Sequence, residues 1–407
     1  MDQRLNRDSQ GVLGVVEEWT SRHVDELQDL ARELVRAPTV LGAEESGQKI
    51  VESFLADAGF AVERIQPDAA SALADPHGGY PSLSYEDRSC VAGRRSGSRN
   101  GRSLHLSGHI DVVPVESQAR WSHDPWAGDV SDGRLWGRGS GDMKAGLAAY
   151  LIGAKAAIEI GGTLSGDLIF TSVIEEENGG NGMRAVLAAG YSADATLIGE
   201  PTGLSILHEG IGVVWARLTA LGSGSHAADT TPASAPLERI IDAVGGLRRL
   251  ERRLNARETQ HRYKLNLGQI EGGVWPSSAP TEVTLRVRVG FPSTYEPADI
   301  QGLIAEAVEQ AASGVDVAFD GFRAHAYAHD LNNPFVEVVD GAHMAIHGRT
   351  PARTSTTATT DARYVSGHCY CYGPVAGSLH SIDEWADVKS IRDTALLVAL
   401  VALDWCR

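Results

Sequence analysis

Cysteine is scarce in this chain, and long apolar runs are missing. Only four of the 407 residues are cysteines, too few for a fold held together by disulfides. No apolar run approaches the roughly 20 residues with which a helix spans a bilayer. The first ten residues are polar and lack the apolar core of a signal peptide. We therefore expect a cytoplasmic protein with no membrane partner.

Basic residues are also few relative to acidic ones. Lysine and arginine number 36 against 53 aspartates and glutamates, which gives a formal net charge of −17. Because binding to nucleic acid or to an anionic membrane needs a basic surface, this balance argues against both partners. The chain is longer than the size at which a single core keeps growing, so we expect two domains.

Strands and helices alternate through the first half of the chain. Apolar periodicity predicts helices at 24–35 and 50–58, an irregular loop at 66–100, strands at 103–107, 167–174 and 195–198, and intervening helices at 144–160 and 183–189. Such alternation predicts an α/β catalytic domain with a mostly parallel sheet and helices on both faces.

The pattern changes after Gly203. Long strand-like runs are predicted at 206–221 and 263–270, with a helix at 237–254, a further strand at 282–289 and a helix at 300–312. We expect a smaller α+β unit, a lid or dimerisation domain, inserted into the first domain. The predicted division is a catalytic domain at 1–205 and 327–407 and a lid at 206–326.

Histidine and carboxylate side chains follow the predicted strands. His109 and Asp111 come at the end of one strand, where a carboxylate can fix the imidazole tautomer that binds a metal. Asp142 follows a glycine-dense loop that leads into a helix. Each has an ordinary alternative, since a histidine can simply end a strand and an aspartate can cap a helix.

Three adjacent acids are harder to explain as ordinary surface residues. Glu175, Glu176 and Glu177 end an apolar strand, and they repel one another unless protons or cations intervene. Glu200 ends the next strand, and His380 lies in a polar loop near the C-terminus. Because ligands of open α/β sheets gather at the carboxyl ends of the strands, these side chains are expected to converge.

The donor types predict a site for divalent cations. Imidazole and carboxylate groups bind zinc, and a site without thiolates stays open for water. Several carboxylates can hold two cations close together, because their negative charge offsets the repulsion between the ions. The sequence therefore predicts a two-metal hydrolase, with zinc preferred and with cobalt or manganese able to use the same donors.

These motifs resemble, from about residue 20 to the C-terminus, the di-zinc family that contains aminoacylase, carboxypeptidase G, acetylornithine deacetylase and succinyl-diaminopimelate desuccinylase. The resemblance implies that His109 and Glu200 bind one metal, that Glu177 and His380 bind the other, and that Asp142 bridges the two. It further implies that Asp111 orients His109 and that Glu176 is the general base.

The resemblance extends to the lid. It implies that His226 reaches into the active site, often from a partner subunit, and that Arg288 grips a substrate carboxylate, with Arg363 as a second candidate. A homodimer through the lid is expected, with the strand at 206–221 and the helix at 237–254 as candidates for its edge.

The sequence departs from the family pattern at two places. The stretch Gly272 to Pro280 lacks the family's asparagine, and Thr359 stands where glycine is common. Acyl and side-chain preference therefore stay open.

The implied activity is hydrolysis of an amide bond in an N-acyl amino acid or a small dipeptide-like compound. One alternative is an exopeptidase of the dipeptidase or carboxypeptidase type with the same two metals. Another is a metal-binding protein that has lost catalysis, although the presence of Glu176 counts against it. A serine or cysteine hydrolase lacks its G-x-S-x-G motif here, and a nucleotide-binding enzyme lacks a phosphate loop.

Overall fold

The computed structural model describes residues 2–81, 83–98, 101–229, 231, 235–256 and 262–407, and the side chains of residues 2–10 are left aside. Ten helices lie in this part of the chain: α1 Asp2–Arg22, α2 Val24–Arg36, α3 Glu45–Asp57, α4 Ala69–Ala74, α5 Ala145–Gly161, α6 Asn181–Ala188, α7 Pro236–Asn255, α8 Pro297–Ala311, α9 Pro334–His347 and α10 Val388–Trp405. None of the described helices is both long enough and apolar enough to cross a membrane. The cytoplasmic location stays a prediction.

A nine-stranded sheet forms the centre of the larger unit. Its strands are β1 Ala61–Ile65, β2 Cys90–Arg95, β3 Leu104–His109, β6 Leu168–Val173, β7 Ala195–Ile198, β8 Ile206–Gly210, β16 Tyr327–Ala328, β17 Arg353–Thr356 and β18 His368–Cys371. Their order is β1-β2-β6-β3-β7-β18-β8-β16, and β17 pairs with β8. Every residue of β3, β6 and β7 is buried, so both faces of the sheet centre are covered.

The sheet contains both parallel and antiparallel pairs, whereas a mostly parallel sheet was predicted. The pairs β6–β3, β3–β7 and β7–β18 are parallel, whereas β1–β2, β2–β6 and β8–β16 are antiparallel. Strand β2 lies inside the segment 66–100 that was predicted to be a loop, of which residues 82, 99 and 100 lie outside the described part. The α/β class is confirmed, and the parallel arrangement holds for the centre of the sheet.

The lid has its own sheet and core. Its strands are β9 Gly212–Leu221, β11 Lys264–Gly272, β13 Glu282–Phe291, β14 Val315–Ala318 and β15 Arg323–Ala324, in the order β11-β13-β9-β14 with β15 also on β9. Helices α7 and α8 pack on this sheet and on each other. A separate apolar cluster fills the space between them, with Ile240, Leu285 and Ile304 among its buried members.

The strand predicted at 206–221 is two strands in two different sheets. Its first part, β8, pairs in the larger sheet, and its second part, β9, lies in the middle of the lid sheet. Strand β9 has neighbours on both sides, so it cannot be the dimer edge; β11 forms one edge of the lid sheet, and β14 and β15 form the other. The chain passes from the larger sheet to the lid sheet at Ile211, between β8 and β9, whereas the predicted lid begins at residue 206. The domain limits stay predictions.

Two smaller sheets complete the described structure. The first is a two-stranded ladder in the lid, β10 Ser225–His226 with β12 Ser278–Ala279. The second is four-stranded, in the order β19-β20-β5-β4: β4 Asp129–Ser131, β5 Arg134–Trp136, β19 Ala376–Gly377 and β20 Trp385–Asp387. This second sheet joins the loop before Asp142 to the loop that carries His380.

Candidate metal centre

The carboxyl ends of three neighbouring parallel strands bring the predicted ligands together. His109 is the last residue of β3, the acidic run follows β6, and Glu200 follows β7 after a single glycine. Because β6, β3 and β7 are adjacent and parallel, their carboxyl ends lie at one edge of the sheet. The sheet topology thus places these side chains side by side.

Asp142 lies between two histidines. Nε2 of His109 is 3.1 Å from Oδ1 of Asp142, and Nε2 of His380 is 3.4 Å from Oδ2 of the same carboxylate. Nε2 of His380 is also 3.0 Å from Oε1 of Glu177. Among the described residues, the possible ligand atoms of His109, Asp142 and Glu177 all lie within 4.8 Å of one another.

Without cations, protons compensate the charges in this cluster. Burial opposes a charge on His109, but its hydrogen bond to Asp142 and the nearby carboxylates raise its pKa well above the usual range. Burial and the neighbouring Asp142 raise the pKa of Glu177 to about 7, and the same two causes raise the pKa of Glu200 well above its usual range. Burial also opposes ionisation of Asp142, but hydrogen bonds to both histidines hold its pKa below the usual range. Burial lowers the pKa of His380, yet its bonds to Asp142 and Glu177 raise it to about 11.

The donor set fits divalent cations. Buried carboxylates with raised pKa values would otherwise need protons, and imidazole with carboxylate is a donor set that zinc accepts. Nδ1 of His109 donates to the carbonyl oxygen of Asp111 at 2.9 Å, and Nε2 donates to Asp142 at 3.1 Å. A metal bound by His109 would therefore take the place of the proton on Nε2.

The structure changes the part that Asp111 plays. We expected its carboxylate to orient His109, but the nearest carboxylate oxygen is 3.7 Å from Nδ1, and the backbone carbonyl makes the hydrogen bond instead. The carboxylate accepts the backbone N–H groups of Glu176, at 3.2 Å, and of Glu177, at 3.1 Å. Asp111 thus connects His109 to the acidic turn.

The three acids of this turn face three different neighbours. Glu175, whose backbone is in the left-handed region at φ 67°, accepts a hydrogen bond from Tyr85. Oε1 of Glu176 lies 3.4 Å from Nη1 of Arg363. Glu177 faces His380. Adjacent residues in the sequence therefore occupy separate environments.

Two residues that support Asp142 were missed in the sequence. Oε1 of Glu384 accepts the N–H groups of Gly141 and Asp142, both at 2.9 Å, and its other oxygen pairs with the buried Arg138. The peptide bond between Asp142 and Met143 is cis. Glu384 stands four residues after His380, but a buried ion pair between distant segments leaves no spacing pattern in a sequence.

The predicted substrate-contacting residues of the lid and of the catalytic unit differ in their exposure and in their contacts. Arg288, on β13, reaches across from the lid and donates to the carbonyl of Thr357 at 3.5 Å. His226 is exposed on the short lid strand β10, outside the group of contacts around Asp142. Arg363 is fully buried and engaged by protein groups, so in this structure it offers no open face to a substrate carboxylate. Its role in binding a substrate carboxylate stays a prediction.

A cavity of about 520 Å³ opens beside the cluster. It is lined by His380 and Ser381 from one loop and by Val113, Pro114 and Arg120 from the segment after β3. The cluster is therefore accessible from a space large enough for a small molecule.

The fold and these contacts together define a class, the metal-dependent hydrolases that act at the carboxyl edge of an α/β sheet. Residues 105–404 match the family model of Peptidase family M20/M25/M40, so the chain belongs to that family. The resemblance seen in the sequence is confirmed, and so is the predicted reaction class, metal-dependent hydrolysis of amide bonds.

Individual relatives cover nearly the whole chain. A succinyl-diaminopimelate desuccinylase of Rhodospirillum centenum is 30% identical over 391 residues, which is 92% of this chain and 96% of that protein. Human carnosine dipeptidase 1 superimposes with a TM-score of 0.76 at 15% identity, covering 97% of this chain and 99% of the other. A Bacillus subtilis protein described as a dinuclear metal binding peptidase gives 0.60 at 15%, covering 94% and 98%.

Proposed function

We propose that this protein is a dinuclear zinc amidohydrolase that removes the acyl group from an N-acyl amino acid. The observation that carries the proposal is the carboxylate of Asp142, which turns one oxygen to His109 and the other to His380. In this proposal Asp142 is shared by the two ions, His109 and Glu200 hold one, and Glu177 and His380 hold the other. Cobalt or manganese suits the same donors.

When bound, two such ions lower the pKa of a water molecule toward about 7 and polarise an amide carbonyl. The remaining work falls to side chains of this protein. Glu176 accepts the proton of the attacking water and later returns a proton to the departing amine. Oε1 of Glu176 lies beside Arg363, whereas the adjacent Glu177 faces His380, and this difference supports a role for Glu176 other than metal binding.

In this proposal, residues of the lid bind the substrate. Arg288 lies where the lid meets the catalytic unit at Thr357, and its planar guanidinium suits two hydrogen bonds to a substrate carboxylate. Burial lowers the pKa of Arg288, so a substrate carboxylate would compensate a charge that is partly removed from water. His226 donates to the oxyanion once the lid closes and excludes water.

The substrate class follows from the relatives and from the arginine. Relatives named succinyl-diaminopimelate desuccinylase cover about nine tenths of the chain, which favours a succinyl or similar acyl group on an amino acid with a free carboxylate. We also propose a homodimer through the lid, because β11 is an edge strand with exposed apolar side chains such as Leu267 and Ile270.

Activity profiling tests the proposal. The zinc-loaded protein is assayed with N-acetyl amino acids, N-succinyl amino acids and dipeptides, before and after treatment with a chelator. We expect turnover of N-acyl amino acids that the chelator abolishes and zinc restores. Turnover of dipeptides alone would select the exopeptidase, and activity that resists chelation would select a metal-free hydrolase. No turnover at full metal content would identify a metal-binding protein without catalysis.

A further inference from the structure

Arg363 lies fully buried beside Glu176. Its Nη1 is 3.4 Å from Oε1 of Glu176, and its Nη2 donates to the carbonyl oxygen of Gly179 at 3.3 Å. One guanidinium therefore contacts both the carboxylate of Glu176 and the backbone of the turn that carries it. A planar guanidinium makes such a double contact from two separate nitrogens in a fixed geometry, whereas an ammonium group donates from a single nitrogen.

The guanidinium is held in place from several sides. It lies over the ring of Tyr364 at 4.4 Å and over that of Phe322 at 5.3 Å, and it donates to the hydroxyl of Thr359 at 3.4 Å. Asp361 is 3.7 Å away. Burial lowers the pKa of Arg363, but Tyr364, Asp361 and Glu176 outweigh it and the pKa is raised, so the side chain stays charged.

Gly180 leaves room for this contact. Its backbone is in the left-handed region at φ 76°, and a Cβ at this position would lie 2.2 Å from Nη2 of Arg363. Any other residue at position 180 would push the guanidinium away from Gly179. The acidic turn is thus shaped to accept Arg363 as well as to present Glu176.

We propose that Arg363 is a positioning residue for Glu176 and does not bind the substrate carboxylate. It holds one oxygen of Glu176, which leaves the other oriented to accept the proton of the attacking water. The inference rests on the proposed function, because that function makes Glu176 the base. When a catalytic group is displaced by about 1 Å, the catalytic rate can fall roughly 100-fold.

Arg363→Lys tests the inference, because it keeps the charge but replaces the two donor nitrogens that contact Glu176 and Gly179 with a single one. The substrates are an N-acyl amino acid and its carboxamide analogue, which lacks the free carboxylate. We expect kcat to fall about 100-fold on both substrates, with little change in KM. Binding of the free amino acid product, measured by calorimetry on the zinc-loaded variant, should match the wild type.

The opposite pattern would overturn the inference. If Arg363 grips the substrate carboxylate, Arg363→Lys raises KM for the acid only, leaves the carboxamide unaffected and weakens binding of the product. Gly180→Ala gives a second variant, which displaces the guanidinium without replacing it and should show the same loss of kcat. Unchanged kcat in folded, zinc-loaded variants also counts against the inference.

A matched control and a reference separate the possible failures. Arg353 pairs with Asp340 on the surface, so Arg353→Lys should leave kcat, KM and metal content unchanged. If the wild type hydrolyses none of the substrates, the proposed function fails. If the wild type is active and Arg363→Lys keeps its kcat, only the positioning role fails.

Discussion

At the scale of single residues, one acidic run serves three purposes. Glu175 bonds to Tyr85, Glu176 faces Arg363 and Glu177 faces His380. Burial raises the pKa of Glu175 to about 7. The chemistry of each carboxylate is therefore set by the residue it faces and not by its place in the run.

Replacing Glu176 by glutamine should separate catalysis from metal binding. The amide keeps the size of the side chain but cannot accept a proton, so we expect kcat to fall by about 10² to 10⁴. Metal content should not change, because Glu176 is not one of the proposed metal ligands. Steady-state kinetics with metal analysis checks both points. Near-normal kcat in Glu176→Gln would remove this residue as the base.

The sequence could predict residue types at the site but not all of their contacts. His109, Asp142, Glu200 and His380 stand next to predicted strands or helices, so their convergence follows from the α/β pattern. The contact of Arg363 with Glu176 joins residues 187 positions apart. Apolar periodicity does not reveal such a contact, because it depends on how the turns and loops fold over the edge of the sheet.

At the scale of elements, the apolar pattern of residues 206–221 predicted a single strand, whereas this segment forms strands in two different sheets. Strands β8 and β9 are separated only by Ile211, and both are rich in apolar residues. Nothing in their composition indicates that the first pairs in the catalytic sheet and the second in the lid. Strand β2 was not predicted, because its sequence, Cys-Val-Ala-Gly-Arg-Arg, is short and half polar.

Helix α5 approaches the sheet through Gly146. A Cβ at this position would lie 1.8 Å from the carbonyl oxygen of Gly199, the residue before Glu200. Gly146→Ala should therefore push the helix from the end of β7 and lower the free energy of unfolding by about 1 to 3 kcal/mol. Urea denaturation measures this loss, and zinc affinity should fall with it because Glu200 moves.

Gly341 provides the matched control on another helix. It lies in α9, where a Cβ would meet nothing within 4 Å. Gly341→Ala should raise the free energy of unfolding by about 0.5 to 1 kcal/mol, since alanine favours helix and restricts the unfolded chain. Equal effects of the two substitutions would contradict the close approach of α5 to β7.

At the scale of the whole molecule, the proposed metal centre and the proposed dimer edge lie on different units. The catalytic unit and the lid have different apolar cores, and the proposed dimer edge lies on the lid. The side chain of Ile270, on the edge strand β11, is 60% exposed. An exposed edge strand with apolar side chains is a ready surface for pairing with a second copy.

Ile270→Lys should shift the protein from dimer to monomer, because a charge on an edge strand disfavours pairing across it. Sedimentation velocity at several concentrations measures the change in mass. Leu73→Lys is the control, since Leu73 is similarly exposed, at 56%, on α4 of the catalytic unit. A wild type that sediments as a monomer would contradict the proposed dimer.

We propose that Asp142 joins two metal ions, and X-ray diffraction from zinc-loaded crystals, recorded on both sides of the zinc absorption edge, tests this proposal. We expect two anomalous peaks about 3.5 to 4 Å apart, one beside His109 and one beside His380, with the Asp142 carboxylate between them. A single peak, or two peaks away from Asp142, would contradict the proposal.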